Sequence, residues 1–592
     1  MRVPPTLVDA VRALAGDSAR GFVFVRSDGS ERFHSFQDIA GQAARRGALL
    51  AARGLRKGDR LAMVVPDGEE FVLSFLGALF AGIVPVPIYP QLTFKNIDGY
   101  HDTAAHIARA SGAAMLLTTA ATRQYVEPVL FRVDGLRSLV TVEELALEAT
   151  PTPDRGGSPQ PDDLAFLQFT SGSTSRPKGV MVTHANLAAN AEAFMLDGLA
   201  RDPSVDKGVS WLPLFHDMGL IGFVVGPLFT HIPCVFLPTA SFVRAPRLWL
   251  DKIHEHRGTI TYAPNFAYAL VAKRLKEKDV EGLDLSCLRV AGCGAEPIQA
   301  RALRDFAARL APAGFDPRAF VPSYGMAEAT LAITLAPLNE GVCTDRLGGL
   351  EGPAALSGRG AHGDGAGKEL VDCGRPFPGH ELAIVDEGGC RLGERAIGQI
   401  VTRGPSVTKG YFREPKLTAQ AFRRLPDDAD GAPWLFTGDL GYRVGERLFV
   451  CGRVKDIIIV RGRNYYPSDI EWSVSELPGV RRGIVVAFGV DVAGEEQLVI
   501  CCEGSASDAS AIREATFSCV SEQFGLTVRE VLVAPLASLP RTSSGKPQRA
   551  KTRQMYIDGT LPRARTVQVL GDDLAPHVLG PSEARAKPEE SV

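Results

Sequence analysis

At 592 residues the chain is too long for one hydrophobic core, so several subdomains are expected. Its 65 basic and 68 acidic residues leave a formal net charge of −3, which excludes a general electrostatic attraction to nucleic acid or anionic membrane. Hydrophobic content of 45% is that of a globular protein, and ten cysteines without a secretory leader read as free thiols of a cytoplasmic protein rather than as a disulfide framework.

The start, MRVPPTLVDAVRALAGD, has no long apolar run behind a basic region and is not expected to act as a signal peptide. From 33 to 238 and a little beyond, stretches with helical spacing alternate with short apolar strands. SFQDIAGQAARRGALLAARG is followed by DRLAMVVP, FVLSFLGALFAG by VPVPIY, HIARASG by AAMLLTT, and RLWLDKIHEHRG by TITYAP. This order predicts an α/β fold with largely parallel sheets covered by helices. FVLSFLGALFAGIVPVPIYP and LIGFVVGPLFTHIPCVFLP are apolar enough to raise the question of a membrane span. Both contain prolines and the second also His231, so buried elements and no span are expected.

Directly after an apolar run comes LQFTSGSTSRPKGV, residues 167–180. Gly172 lets the backbone approach a ligand closely, the hydroxyls of Thr170, Ser171, Ser173 and Thr174 can donate to phosphate oxygens, and Lys178 adds a charge. A Walker loop requires glycine before the lysine and Ser or Thr after it. Pro177 and Gly179 stand there instead, which leaves a phosphate-binding loop of another kind or a plain surface loop.

Beyond Gly374 the texture turns β-rich, with HELAIVDEGG, GQIVTRG and ERLFVCGR. The Gly- and Ala-dense stretch at about 339–370 reads as a poorly structured insertion, and residues 571–592 as a disordered tail. No internal repeat is present.

Further motifs stand in order along the chain: FHDMG at 215–219, AGCGAEP at 291–297, SYGMAEAT at 323–330, FTGD at 436–439, GRVKDIIIVRGRNYYPSDIE at 452–471 and LPRTSSGKPQR at 539–549. With the loop at 167–180, this series resembles the adenylate-forming superfamily of acyl-CoA synthetases, peptide-synthetase adenylation domains and luciferases over nearly the whole chain. WLPLFHDMGLIG, the substrate-wall segment APNFAYAL and the insertion resemble its fatty acyl-AMP ligase branch. The resemblance implies mixed α/β and β-rich subdomains in a large N-terminal AMP-binding domain, 1–454. A small mobile α+β domain, 455–570, would turn about a hinge at Lys455.

The implied activity is ATP-dependent conversion of a fatty acid to acyl-AMP with release of pyrophosphate. The acyl group then passes to the phosphopantetheine thiol of an acyl carrier protein, or of a carrier domain of a polyketide or peptide synthase. An AMP-forming acyl-CoA synthetase is the alternative, and a non-catalytic nucleotide or acyl binding protein the second. Coenzyme A is not expected as the main acceptor; its phosphates need a basic channel, for which Arg461, Arg463, Arg481 and Arg482 are the candidates. No carrier-like sequence follows the last motif, so the carrier is expected to be a separate protein.

By the same resemblance, Thr170, Ser171, Gly172, Ser173, Thr174 and Lys178 grip the β- and γ-phosphates. Glu328 is the expected magnesium ligand, with Thr174 contributing a hydroxyl. Gly294, Ala295, Glu296 and Pro297 form one wall of the nucleotide pocket and Ser323, Tyr324, Gly325 and Met326 the other, with Tyr324 stacked on adenine. Asp439 accepts from the ribose hydroxyls, Arg453 reaches the ribose and phosphate side, and Lys546 stabilises charge between carboxylate and α-phosphate. A fatty carboxylate is already ionised at neutral pH, so adenylation needs no base and His216 is read as a gate between acyl tunnel and nucleotide. Amino-acid-activating relatives place an aspartate at that position; here Asp217 comes one residue later and is not expected to meet an ammonium in the same way.

Overall fold

The computed structural model describes residues 2–90, 97–148, 158–170, 176–347, 368–428, 431–460, 463–492, 495–541 and 546–563. Its largest sheet has nine strands. Six run parallel in the order Gly21–Val25, Cys234–Phe236, Gly208–Ser210, Ile260–Ala263, Val290–Cys293 and Phe320–Gly325. Antiparallel strands close both edges, Glu31–Ser35 on one side and Ala332–Leu335 with Arg375–Pro376 on the other. A separate all-parallel sheet holds Val84–Pro87, Arg60–Val64, Ala113–Thr118 and Ser138–Thr141 in that order.

The expected helix–strand pairs are all present. The helix Phe36–Ala52 starts at a capping box between Ser35 and Asp38, and packs on the helix Gly68–Phe80. The two backbones meet at Gly47 and Gly77; a Cβ on Gly77 would stand 2.6 Å from the Arg46 Cβ, so only glycine allows this approach. The first long apolar segment is the buried helix Gly68–Phe80 and the strand Val84–Pro87. The second turns into the buried stretch Asp217–Thr230 and the strand Cys234–Phe236. Among the described residues no helix is long and apolar enough to cross a membrane.

The β-rich part is a five-stranded antiparallel sheet of Glu381–Val385, Gly398–Arg403, Phe422–Arg423, Trp434–Val444 and Arg447–Arg453. The flanks of the insertion differ from expectation. Thr344–Leu347 pairs with Lys368–Val371 as an antiparallel ribbon, Thr344 opposite Val371 and Leu347 opposite Lys368. Residues 348–367, and the expected tail at 571–592, lie outside the described residues.

The last unit is α+β. A sheet of Val480–Val492, Glu495–Gly504 and Val528–Ala534 carries the helices Pro467–Ser475, Ala509–Phe524 and Arg549–Ile557. It has its own core, built on Ile470, Val474, Leu498, Ile500, Val520 and Val531. All ten cysteines are free.

Candidate active site

A largely apolar cavity opens beside the parallel sheet, walled by Phe194, Met195, Met218, Phe223, Ile232, Leu331 and Leu335. Two of its walls are π-helical, Glu192–Gly198 and Ile221–Val225, a widened winding that recurs at functional sites. Residues 263–270, expected as the substrate wall, do not line it. Their helix, Asn265–Arg274, turns Ala267, Tyr268 and Val271 into the core, and the wall comes from Tyr262 just before it. Asp217 does line the cavity, and burial raises its carboxyl above the usual range, which disfavours an ionised partner for an ammonium.

The cavity mouth lies at the carboxyl ends of Val290–Cys293 and Phe320–Gly325, the place where open parallel sheets bind ligands. Here the chain approaches itself closely. A Cβ on Gly294 would stand 2.8 Å from Ser323 Oγ, and one on Gly325 would stand 1.9 Å from the Leu331 carbonyl oxygen. Ala295 takes a left-handed backbone, φ 67, and Pro297 is exposed at the rim. Glu296 accepts from the Phe266 amide through Oε1 at 2.7 Å, and burial raises its pKa.

Past Met326, Glu328 sits in the short 3₁₀ turn Ala327–Ala329, followed by Thr330 at φ 70, ψ −63. This is a γ-turn closed by the Leu331 amide on the Ala329 carbonyl at 2.9 Å, a strained backbone for a β-branched residue. The Thr330 hydroxyl secures it by donating to the Ser406 carbonyl at 2.6 Å.

Asp439 gathers three distant segments. Its Oδ2 accepts from the Tyr324 hydroxyl at 2.7 Å and its Oδ1 from Arg453 Nε at 2.8 Å, Arg453 being its cross-strand neighbour. Both the aspartate and burial bear on Tyr324, whose phenol is held well above its ordinary pKa by burial first and Asp439 next. Lys455 lies on the turn Val454–Asp456 that leads into the C-terminal unit.

From that unit, the Lys546 amine donates to the Ala295 carbonyl at the cavity mouth. Burial lowers the Lys546 pKa, while the Glu296 and Asp217 carboxylates oppose the shift. Behind it, Arg549 binds Glu471 at 2.8 Å and also pairs with Asp456, next to Lys455. His216 begins the helix Asp217–Leu220, and burial, with the neighbouring Lys546 charge, pushes its imidazole down to about 4. It is therefore neutral at ordinary pH.

The phosphate-loop candidates hang on a hairpin. Leu164–Thr170 pairs antiparallel with Lys178–Thr183, setting Thr170 opposite Lys178. Ser171, Gly172, Ser173 and Thr174 lie outside the described residues. The Lys178 ammonium stands over the Tyr411 ring, 4.9 Å from its centroid, and the buried Tyr411 hydroxyl donates to Glu328 Oε1 at 2.8 Å. Tyr411 went unread in the sequence, where a Gly-Tyr step in a loop has nothing to separate it from a turn. Of the basic residues considered for coenzyme A, Arg481 is engaged with buried Glu503 at 3.0 Å, a buried carboxylate that needs its partners. Arg461 and the side chains of Arg463 and Arg482 lie outside the described residues.

An apolar cavity that meets a carboxylate, two cations and a tyrosine at the carboxyl ends of parallel strands is the arrangement expected of an adenylate-forming enzyme. The family described as AMP-binding enzyme matches residues 14–412, and the AMP domain of the Disco-interacting protein 2-like family matches residues 455–566. The chain belongs to the AMP-binding enzyme family and, within it, to the fatty acyl-AMP ligase branch.

A Caulobacter vibrioides protein with a provisional acyl-CoA synthetase name is 37% identical, over 94% of this chain and 96% of its own length. Long-chain-fatty-acid–AMP ligase FadD26 of Mycobacterium marinum is 36% identical over 84% and 87%. Medium-chain-fatty-acid–acyl-carrier-protein ligase JamA of Moorena producens is 32% identical over 88% and 89%. A solved fatty acyl-adenylate ligase, from work on the E. coli and L. pneumophila enzymes, superposes with a TM-score of 0.86 at 33% identity, covering 94% of this chain and 98% of its own.

Proposed function

We propose that the chain activates a fatty acid with ATP and passes the acyl group to the phosphopantetheine thiol of a carrier protein or carrier domain. The observation that carries this reading is the meeting of the Lys546 amine with the Ala295 carbonyl at the mouth of an apolar cavity. In the first step a carboxylate oxygen attacks the α-phosphorus of ATP. The new O–P bond forms as the bond from that phosphorus to the pyrophosphate oxygen breaks.

The Lys546 ammonium stabilises charge on the reacting oxygens. The fatty carboxylate is already ionised, so the neutral His216 positions it and removes no proton. Asp439 accepts from the ribose hydroxyls with Arg453 fixing its orientation, Tyr324 stacks on adenine between the 294–297 and 323–326 walls, and the loop from Thr170 to Lys178 holds the leaving group. Glu328, a buried hard carboxylate held by the Tyr411 hydroxyl, fits a magnesium ion and would hold it together with the Thr174 hydroxyl. Such an ion supplies neutralisation of phosphate charge.

For the second step the C-terminal domain turns about Lys455 and withdraws Lys546. The carrier thiolate attacks the acyl carbonyl, a C–S bond forms, the C–O bond to AMP breaks and AMP leaves. JamA, named as an acyl-carrier-protein ligase, supports this acceptor, and the name of the Caulobacter relative favours coenzyme A as the second reading. Fatty-acid-dependent ATP–pyrophosphate exchange tests the first step. Exchange with saturated fatty acids is expected, and none with any acid of a broad panel contradicts it.

A further inference from the structure

A fully buried carboxylate, Glu503, stands in the C-terminal unit near the end of the strand Glu495–Gly504, in register with Ala534, the last residue of the neighbouring strand. Taking a carboxylate out of water is costly unless donors surround it. Its Oε1 accepts from the Ser538 and Leu539 amides, each at 3.0 Å. Its Oε2 accepts from the Ala537 amide at 2.9 Å, from Arg541 at 2.6 Å and from Arg481 at 3.0 Å.

All of these donors except Arg481 lie between the last strand of the sheet and the motif that carries Lys546. The turn of successive amides around the carboxylate includes Ala537 at φ 61, a left-handed backbone that a residue with a Cβ keeps only where its surroundings fix it. The segment then runs beside the one that bears the lysine. Arg541 pairs antiparallel with Pro547, and the Gln548 amide donates to the Pro540 carbonyl at 2.9 Å. Lys546 directly precedes Pro547, and on its other side the helix Arg549–Ile557 is held by the Arg549 bond to Glu471. The lysine thus stands between two carboxylate anchors.

Lysine has a flexible four-carbon stem, so the place of its ammonium depends on how firmly the backbone beneath it is held. A displacement of about 1 Å at a reacting centre can cost about 10²-fold in rate. An apolar side chain at position 503 would avoid the cost of burying charge, but only an anion gathers three amides and a guanidinium at one point. We propose that Glu503 is a positioning residue for adenylation, fixing through Arg541 the segment that carries Lys546 to the Ala295 carbonyl at the cavity mouth. The proposal rests on the adenylation reading given above.

The test measures fatty-acid-dependent ATP–pyrophosphate exchange in the full chain, in Glu503→Gln, Arg541→Lys and Lys546→Ala, and in each of the first two combined with Lys546→Ala. Glutamine keeps the shape but must set its NH₂ group against donors, and lysine keeps the charge but loses the planar fork. Glu503→Gln and Arg541→Lys are each expected to lower kcat by about tenfold or more, with KM for ATP and for the acid within about twofold of the parent. In the Lys546→Ala background neither change is expected to slow exchange further, because effects of residues that act through one group do not add. Parental kcat in both single variants overturns the proposal while leaving adenylation intact. Losses that multiply with that of Lys546→Ala overturn it too, by making Glu503 a support of the domain as a whole. If Glu503→Gln does not fold, Arg541→Lys carries the same two readouts. Absence of exchange by the parent chain with every acid of a broad panel overturns the adenylation reading and this proposal together.

Discussion

The Tyr411 hydroxyl donates to Glu328 Oε1 at 2.8 Å while the Tyr411 ring lies beneath the Lys178 ammonium, 4.9 Å away. One buried side chain thus ties the carboxylate expected to hold magnesium to the lysine that ends the loop expected to hold phosphate. Tyr411→Phe keeps the ring and removes only the bond to Glu328. A hydrogen bond to a charged group contributes about 1.5–3 kcal/mol, so turnover is expected to fall about tenfold or more. The magnesium concentration for half-maximal rate is expected to rise, and Mn²⁺ binding followed by spin resonance to weaken in parallel. An unchanged metal requirement would show that Tyr411 merely fills space.

Lys546 arrives from the C-terminal unit at a half-buried position between Glu296, Asp217 and Arg453. Lys546→Ala is expected to lower adenylation by about 10²–10³ with ATP affinity largely retained, as measured by exchange and by equilibrium dialysis. Adenylation at the parent rate would remove this lysine from the mechanism.

The pH dependence follows from the direction of its shift. Burial lowers the Lys546 pKa, so the ammonium is present at low pH and is lost as pH rises through the depressed value. The alkaline limb of the exchange rate is expected below that of an ordinary lysine. Lys546→Arg, slower but permanently charged, is expected to shift that limb upward. Superimposable limbs in the two proteins would assign the titration to another group.

His184 tests the packing that supports the site. It is buried, receives the Leu7 amide on Nδ1 at 3.3 Å, and burial pushes its pKa down to about 4. The unfolded chain takes up a proton near the ordinary value of about 6.5 that the folded chain refuses, so stability is complete above that value and declines as pH falls towards 4. The slope is at most about 1.4 kcal/mol per pH unit for this one group. His184→Gln is expected to flatten the dependence in denaturant titrations; parallel curves would contradict the assignment.

Periodicity made much of the architecture legible. Gly68–Phe80 and Val84–Pro87 were readable as a buried helix and strand because helical spacing and β-branched runs are local properties. The motifs also led to Tyr324, Asp439 and Arg453, which the fold brings within hydrogen-bonding distance of one another through Asp439. Contacts made across the sheet left no such trace. Tyr411 reaches Glu328 from a different loop, Tyr262 crosses Gly292 from a neighbouring strand, and the strain at Thr330 depends on a carbonyl of Ser406. The ribbon of Thr344–Leu347 with Lys368–Val371 escaped notice because the composition of the insertion between them dominated its flanks.

Whether the acyl-AMP made here passes to a carrier thiol is decided by a product assay. Purified protein, ATP, magnesium and a fatty acid would be incubated alone, with coenzyme A, and with a phosphopantetheinylated carrier protein, and the acyl products resolved by mass. Acyl-AMP is expected to persist in the presence of coenzyme A and to be consumed by the carrier. Rapid conversion to acyl-CoA would contradict that expectation.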